Sequence, residues 1–259
     1  MIHAVVTRAN VAGNNCQLER ESTRRRVGGE CADRRAPRVA KLRKYVDRGG
    51  TRLADVAEAM TIAETAAARA VFVDKDGTLV YATPHGADPD RVELLPRVGE
   101  GLRLLQDAGY MLVIVSNEPG VAMGRFPASA LTRVEARIDE IVAPYGVIIT
   151  TYGWCIHHPS GTRAGAATCA CRKPRPGLLL EAAAAHGIAL DQSWMIGDVL
   201  DDVEAAIRAG CRAVLVDRGA ETRWRAGRLR TPSAIVYDFA DAAAFIVDGQ
   251  RRTRGSLPA

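Results

Sequence analysis

The stretch Val71-Phe72-Val73-Asp74-Lys75-Asp76-Gly77-Thr78-Leu79 limits what this chain can fold into more than any other. A short apolar, largely β-branched run stops at two carboxylates one residue apart, followed by a glycine, as a buried strand does when it empties into a turn. Side chains at i and i+2 of a strand share a side. Asp74 and Asp76 can therefore both face a crevice beyond the strand's C-terminal edge, where open α/β sheets bind ligands. Two carboxylates about 4 Å apart repel by roughly 4 kcal/mol at an effective dielectric near 20, and an arriving anion would add to this. Something cationic must sit between them. A calcium loop of the EF-hand kind also spaces acids in this way, but here the acids and the glycine are out of register and the closing Glu is missing. An ordinary polar turn at a strand end is the other alternative, and only the rest of the chain decides against it.

The chain has 259 residues, 47% of them apolar, enough for one large or two small domains. Its net charge of +5 suggests nucleic acid until it is divided along the sequence. Residues 1–70 carry 14 Lys/Arg against 8 Asp/Glu, residues 71–250 carry 18 against 22, and the last nine add three Arg. The body is mildly acidic, and no strip of alternating aromatic and basic residues is evident, so nucleic acid is not the expected partner. No apolar run reaches the roughly 18 residues that would span a bilayer, and no charged head precedes an apolar segment at the N-terminus. A soluble cytoplasmic protein without membrane contacts is the expectation, its oligomeric state left open with a monomer favoured.

Residues 1–50 show no sustained apolar period and contain clusters such as Arg24-Arg25-Arg26 and Arg34-Arg35. They read as a disordered basic tail or the product of a start codon placed too far upstream. Residues 51–70 read as an Ala-rich leading helix. From residue 71 to 250 strands and amphipathic helices alternate at intervals suited to an α/β, three-layer, doubly wound (Rossmann-like) parallel sheet. Helices are expected over Val98–Ala108, Ala128–Val142, Leu178–His186 and Ala242–Val247, with a charged helical connector over Glu221–Arg230. Strands are expected over Tyr110–Asn117, Val147–Tyr152, Ser193–Asp198, Cys211–Asp217 and Ala234–Asp238, and residues 251–259 as a loose end.

Candidate functional residues fall at the joints of this alternation. The loop Tyr81–Leu94 offers His85 as a substrate contact. The second strand ends in Ser116 and Asn117, a hydroxyl and an amide that can both donate hydrogen bonds. Cys155, His157, Cys169 and Cys171 form C-x-H…C-x-C in a stretch with too few apolar groups to hold its shape by packing, and three sulfurs with one nitrogen suit structural zinc. His158 competes with His157 for the nitrogen position, and Cys16, Cys31 and Cys211 lack partner spacing. Arg172-Lys173-Pro174-Arg175-Pro176-Gly177 follows the 155–171 loop directly, so a metal there would fix the place of two cations. A further strand ends at Asp198, with Asp202 on the next helix, where a carboxylate suits the helix dipole.

D-x-D-G-T at a strand end resembles the first motif of the haloacid dehalogenase (HAD) phosphatase superfamily, with Ser116, Lys173 and Gly197-Asp198-Val199-Leu200-Asp201-Asp202 in the order of its second to fourth motifs. The resemblance implies Asp74 as nucleophile, Asp76 as proton shuttle, and Ser116 and Lys173 around the phosphoryl group. It also implies Mg²⁺ on Asp74, Asp198 and the backbone carbonyl of Asp76, with Asp202 in support. Ser116–Phe126 and R-K-P-x-P-G are similar to the heptose bisphosphate phosphatases, an essentially capless family with a zinc loop. That likeness implies a sugar bisphosphate substrate, D-glycero-D-manno-heptose 1,7-bisphosphate, with Asn117 and Arg172 facing it. Glu118, Met123 and Val199 depart from the pattern, which has Gln, Arg and a basic residue there. Histidinol-phosphate phosphatase is the alternative, though eleven residues between His157 and Cys169 exceed its usual spacer. A polynucleotide 3′-phosphatase and a catalytically dead binding protein are the readings further off.

Overall fold

Every residue of β1 (Ala70–Val73) is buried, and successive side chains serve different cores. Val71 and Val73 pack into one cluster, Ala70 and Phe72 into another. This is the two-faced burial that makes a central parallel strand apolar throughout rather than alternating. The computed structural model describes residues 67–82, 87–159, 169–221, 224–225 and 227–254. The expected tail, residues 51–66 of the leading helix, His85 and the chain beyond Arg254 lie outside them, and residues 67–70, the described end of that expected helix, are not helical, with Ala70 opening β1.

The described residues form one parallel sheet of six strands in the order β3-β2-β1-β4-β5-β6. The others are β2 (Met111–Asn117), β3 (Thr151–Cys155), β4 (Trp194–Gly197), β5 (Arg212–Val216) and β6 (Ala234–Val236). The chain moves outward from β1 through β2 to β3, then returns to lay β4 on the other side of β1. That reversal creates the crevice predicted beyond the β1 edge.

One face is covered by α1 (Val98–Asp107), α3 (Ala130–Val142) and α6 (Phe239–Arg254), whose Leu102, Leu105, Val134, Ile138, Phe239 and Ile246 pack on Ile114, Ile196 and Val214. The other is covered by α4 (Gly177–His186) and α5 (Leu200–Ala209), whose Leu178, Leu179, Val203 and Ala206 meet Phe72, Val113, Met195 and Leu215. The short α2 (Pro119–Ala122) follows β2 at the crevice. The expected three-layer, doubly wound class holds, and no cap domain is inserted among the described residues.

Three further boundaries differ from expectation. β3 begins at Thr151 rather than Val147 and runs on to Cys155. The apolar residues before it misled: Ile148 is 73% exposed, and its N–H goes to the Gln106 side chain at 2.8 Å instead of a strand. The described residues of the Glu221–Arg230 connector are not helical. Their charges reach across to α5 instead, with Glu221 accepting the Leu200 N–H at 2.9 Å and Arg230 pairing with Asp201 and Glu204 at 2.6 and 2.7 Å. Finally, α6 spans Phe239–Arg254 rather than Ala242–Val247, beginning three residues earlier and running on into the stretch read as a loose end.

Candidate active site

Parallel strands all end on the same edge, so their last residues meet there. Asp74 follows β1, Ser116 and Asn117 close β2, Cys155 closes β3 and Asp198 follows β4. The turn after Asp74 is tight, with Leu79 and Val80 both donating N–H to the Lys75 carbonyl at 3.0 Å. Gly77 stands in it with φ +86°, and a Cβ there would lie 2.0 Å from Asp198 Oδ2. Gly197 is required for space of the same kind, since a Cβ would come 2.3 Å from Asp202 Oδ2.

Lys173 ties the edge together. Its buried ammonium donates to Asp74 Oδ1, lies 2.7 Å from Asp202 Oδ1 and donates to the Val115 carbonyl at 2.9 Å. The backbone that carries it is fixed by Asn117, whose Oδ1 accepts the Lys173 N–H at 3.0 Å while its Nδ2 donates to the Lys173 carbonyl at 3.1 Å. Asn117, expected to face substrate, is thus engaged at both ends of its amide in placing Lys173. Asp202 also accepts the Val199 N–H at 3.4 Å, at the start of α5.

One oxygen each of Asp74, Asp198 and Asp202 lies within 4.8 Å of the other two, all three residues buried. Burial, reinforced by Asp74 and Asp202, pushes Asp198 up to about 8. Burial also raises Asp202, to about 6, against the pull of Lys173 and with a further push from Asp74. Lys173 resists the desolvation that would strip its proton, because Asp202 and Asp74 hold it charged. One cation among three carboxylates leaves negative charge uncompensated. Such an oxygen set fits a hard divalent ion such as Mg²⁺, with Asp74 and Asp198 as the carboxylates not already fully committed to Lys173. The Asp76 carboxylate is not part of this cluster, so the expected role for Asp76 there rests on its carbonyl oxygen.

Lys75, which sequence reasoning passed over, and Glu118, noted there only as a departure from glutamine, complete the site. Lys75 is 1% exposed, and its ammonium lies 2.9 Å from Asp76 Oδ1 and 3.1 Å from Glu118 Oε1. The Ser116 hydroxyl donates to the same Glu118 oxygen at 3.0 Å. A lysine between two aspartates reads as a solvated side chain, and the only available signal was the paired oddity of a lysine in D-x-D and a glutamate two residues after Ser116.

The sulfur cluster forms at the end of β3. Cys155 Sγ is 3.3 Å from Cys171 Sγ and 3.8 Å from Cys169 Sγ, while His157 Nδ1 is 3.2 Å from Cys171 Sγ and 3.8 Å from Cys155 Sγ. These gaps are far beyond a disulfide, and they resemble the roughly 3.8 Å sulfur–sulfur edge of a tetrahedron with zinc–sulfur bonds of about 2.3 Å. The hydrogen bond with Cys155 and burial push Cys171 strongly upward, so without a cation it keeps its proton and a metal bound there would have to displace it. The donors fit Zn²⁺. The cluster meets the catalytic edge at two points, where Cys155 O accepts the Glu118 N–H at 2.7 Å and where Arg172 donates to His157 O at 3.3 Å. Cys169→Ser is expected to lower zinc from one per chain to well below half and to reduce the melting temperature by on the order of 10 °C. Full zinc occupancy by elemental analysis would contradict the four-ligand set.

Comparison with known proteins fits this geometry. The family model for HAD-hydrolase-like proteins matches residues 170–242. The D-glycero-β-D-manno-heptose-1,7-bisphosphate 7-phosphatase of Haemophilus ducreyi is 37% identical over 153 residues, 58% of this chain and 84% of that protein. Its Escherichia coli K12 counterpart is 32% identical over 166 residues, 64% and 83% of the two chains. Among solved structures, the D,D-heptose 1,7-bisphosphate phosphatase of B. bronchiseptica, complexed with magnesium and phosphate, superposes with a TM-score of 0.61 at 27% identity, covering 70% of this chain and 99% of that one.

Proposed function

The chain belongs to the D-glycero-β-D-manno-heptose-1,7-bisphosphate 7-phosphatase family of HAD-like hydrolases, and from that premise we propose that it removes the 7-phosphate of this sugar bisphosphate through an aspartyl-phosphate intermediate. One observation carries the reading: the Lys173 ammonium holds Asp74 and Asp202 together beside Asp198 at the chain-order reversal of the sheet.

In the proposed reaction Asp74 attacks phosphorus in line while Asp76 gives a proton to the departing sugar oxygen. Water then attacks the aspartyl phosphate and Asp76 takes its proton, releasing inorganic phosphate and restoring Asp74. Lys173 and the Ser116 hydroxyl stabilise the phosphoryl oxygens, and Asn117 and Asp202 keep Lys173 in place. Asp74, Asp198 and the Asp76 carbonyl would hold Mg²⁺, which would supply neutralising charge to nucleophile and phosphate. Cys155, His157, Cys169 and Cys171 would hold Zn²⁺, which would fix the segment that carries Arg172, a candidate substrate contact, and Lys173. His85 retains its proposed substrate role outside the described residues. None of the four described cysteines forms a disulfide, which suits a reducing compartment, and the cytoplasm is the proposed place of action, with the protein acting as a monomer and without nucleic acid.

The test is Mg²⁺-dependent phosphate release from heptose 1,7-bisphosphate, fructose 1,6-bisphosphate, histidinol phosphate and a 3′-phosphorylated oligonucleotide. Heptose bisphosphate is expected to lead in kcat/KM by about 100-fold or more, with EDTA abolishing turnover. Preference for histidinol phosphate would replace the substrate assignment, and inertness toward all four would end the phosphatase reading.

A further inference from the structure

Asp76, Lys75, Glu118 and Ser116 form an unbroken chain of contacts, 2.9, 3.1 and 3.0 Å in turn. It joins the proposed proton donor to a proposed phosphate-binding hydroxyl. Lys75 and Glu118 are 1% and 3% exposed, so neither charge is dispersed by water, and each depends on the other. Glu118 stands where the family pattern has glutamine, and Lys75 supplies the positive charge that a buried glutamate there requires.

Resting on the phosphatase reading, we propose that Lys75 and Glu118 are a matched pair of positioning residues, in which Lys75 fixes the proton-donating oxygen of Asp76 and Glu118 holds the Ser116 hydroxyl. Lys75 Nζ donates to Asp76 Oδ1. That oxygen is occupied, so the acid form of Asp76 carries its proton on Oδ2, and the leaving sugar oxygen receives it from there. At Glu118, Oε1 accepts both the Lys75 ammonium and the Ser116 hydroxyl. When Ser116 turns its single proton to a phosphoryl oxygen, Glu118 keeps the ammonium as partner. The switch then leaves no buried carboxylate stranded.

The two contacts predict separable losses. A good leaving group such as 2,4-dinitrophenolate departs without protonation, whereas an alkoxide needs the Asp76 proton. The experiment compares kcat/KM of the full Mg²⁺- and Zn²⁺-loaded chain on 2,4-dinitrophenyl phosphate with that on its best alkyl phosphate. Lys75→Met strands Glu118 and also frees Asp76, so both substrates should suffer, the alkyl phosphate by about 1000-fold and the aryl phosphate by about tenfold. Lys75→Met combined with Glu118→Gln restores charge balance and keeps the variant folded. Its aryl phosphate activity should return to within about threefold of the parent while the alkyl phosphate stays about 100-fold down. Equal falls on both substrates in the double variant would overturn the link to Asp76. Failure of the aryl activity to recover would overturn the matching of the pair. A parent protein without Mg²⁺-dependent turnover of either ester would overturn the phosphatase reading and the pair with it.

Discussion

Asp74→Asn is expected to lower phosphate release by about 10⁴-fold or more, because an amide in place of the nucleophilic carboxylate cannot form the aspartyl phosphate. The fold should persist. The substituted amide retains an oxygen for the Lys173 ammonium, which also keeps Asp202 at 2.7 Å. Removing the Asp74 charge also relieves one of the repulsions that raise Asp198. A thermal melt within a few degrees of the parent, beside a flat phosphate-release trace, is the anticipated pair of results. Turnover surviving in the variant would show that another group attacks phosphorus.

Lys173→Met should harm both activity and stability. It leaves Asp74, Asp198 and Asp202 buried around a vanished cation, at a cost of about 3–5 kcal/mol to the fold and about 10³-fold in kcat. The damage should depend on pH in a definite direction. Asp198 and Asp202 already stand at about 8 and about 6, above their unfolded values, and without Lys173 both move higher. A carboxyl raised on folding stabilises while protonated and loses that contribution as pH rises through its folded value. In EDTA the deficit in melting temperature should therefore be small near pH 5 and widen toward pH 8. A deficit independent of pH would mean that lost packing, rather than stranded carboxylates, accounts for the loss.

The motif-bearing strand ends were legible because a strand's period of two and the apolar runs before Asp74, Ser116 and Asp198 are local signals. The sulfur cluster was legible from donor type and spacing, without any prediction of the path between His157 and Cys169. What escaped were properties set by neighbours remote in sequence. Asn117 meets Lys173 across 56 positions, so its amide could be read only as a free donor. Lys75 was given no role, because its partner Glu118 is brought against it only by the sheet. The apolar Val147–Ile149 imitated a strand, yet the β2 ladder selects Thr151–Cys155, a stretch containing a glycine and a cysteine. The charged 221–230 segment fitted a helix by composition, whereas its residues are spent on the first turns of α5.

The bare backbone at position 77 has its cause far along the chain. Any methyl group placed there would collide with a carboxylate 121 positions downstream, so the first motif's glycine is dictated by the fourth motif's aspartate. Local turn preference would tolerate asparagine at such a backbone angle, but the facing Asp198 does not. Anyone randomising this pocket to alter its chemistry has to treat positions 77 and 198 as a single variable.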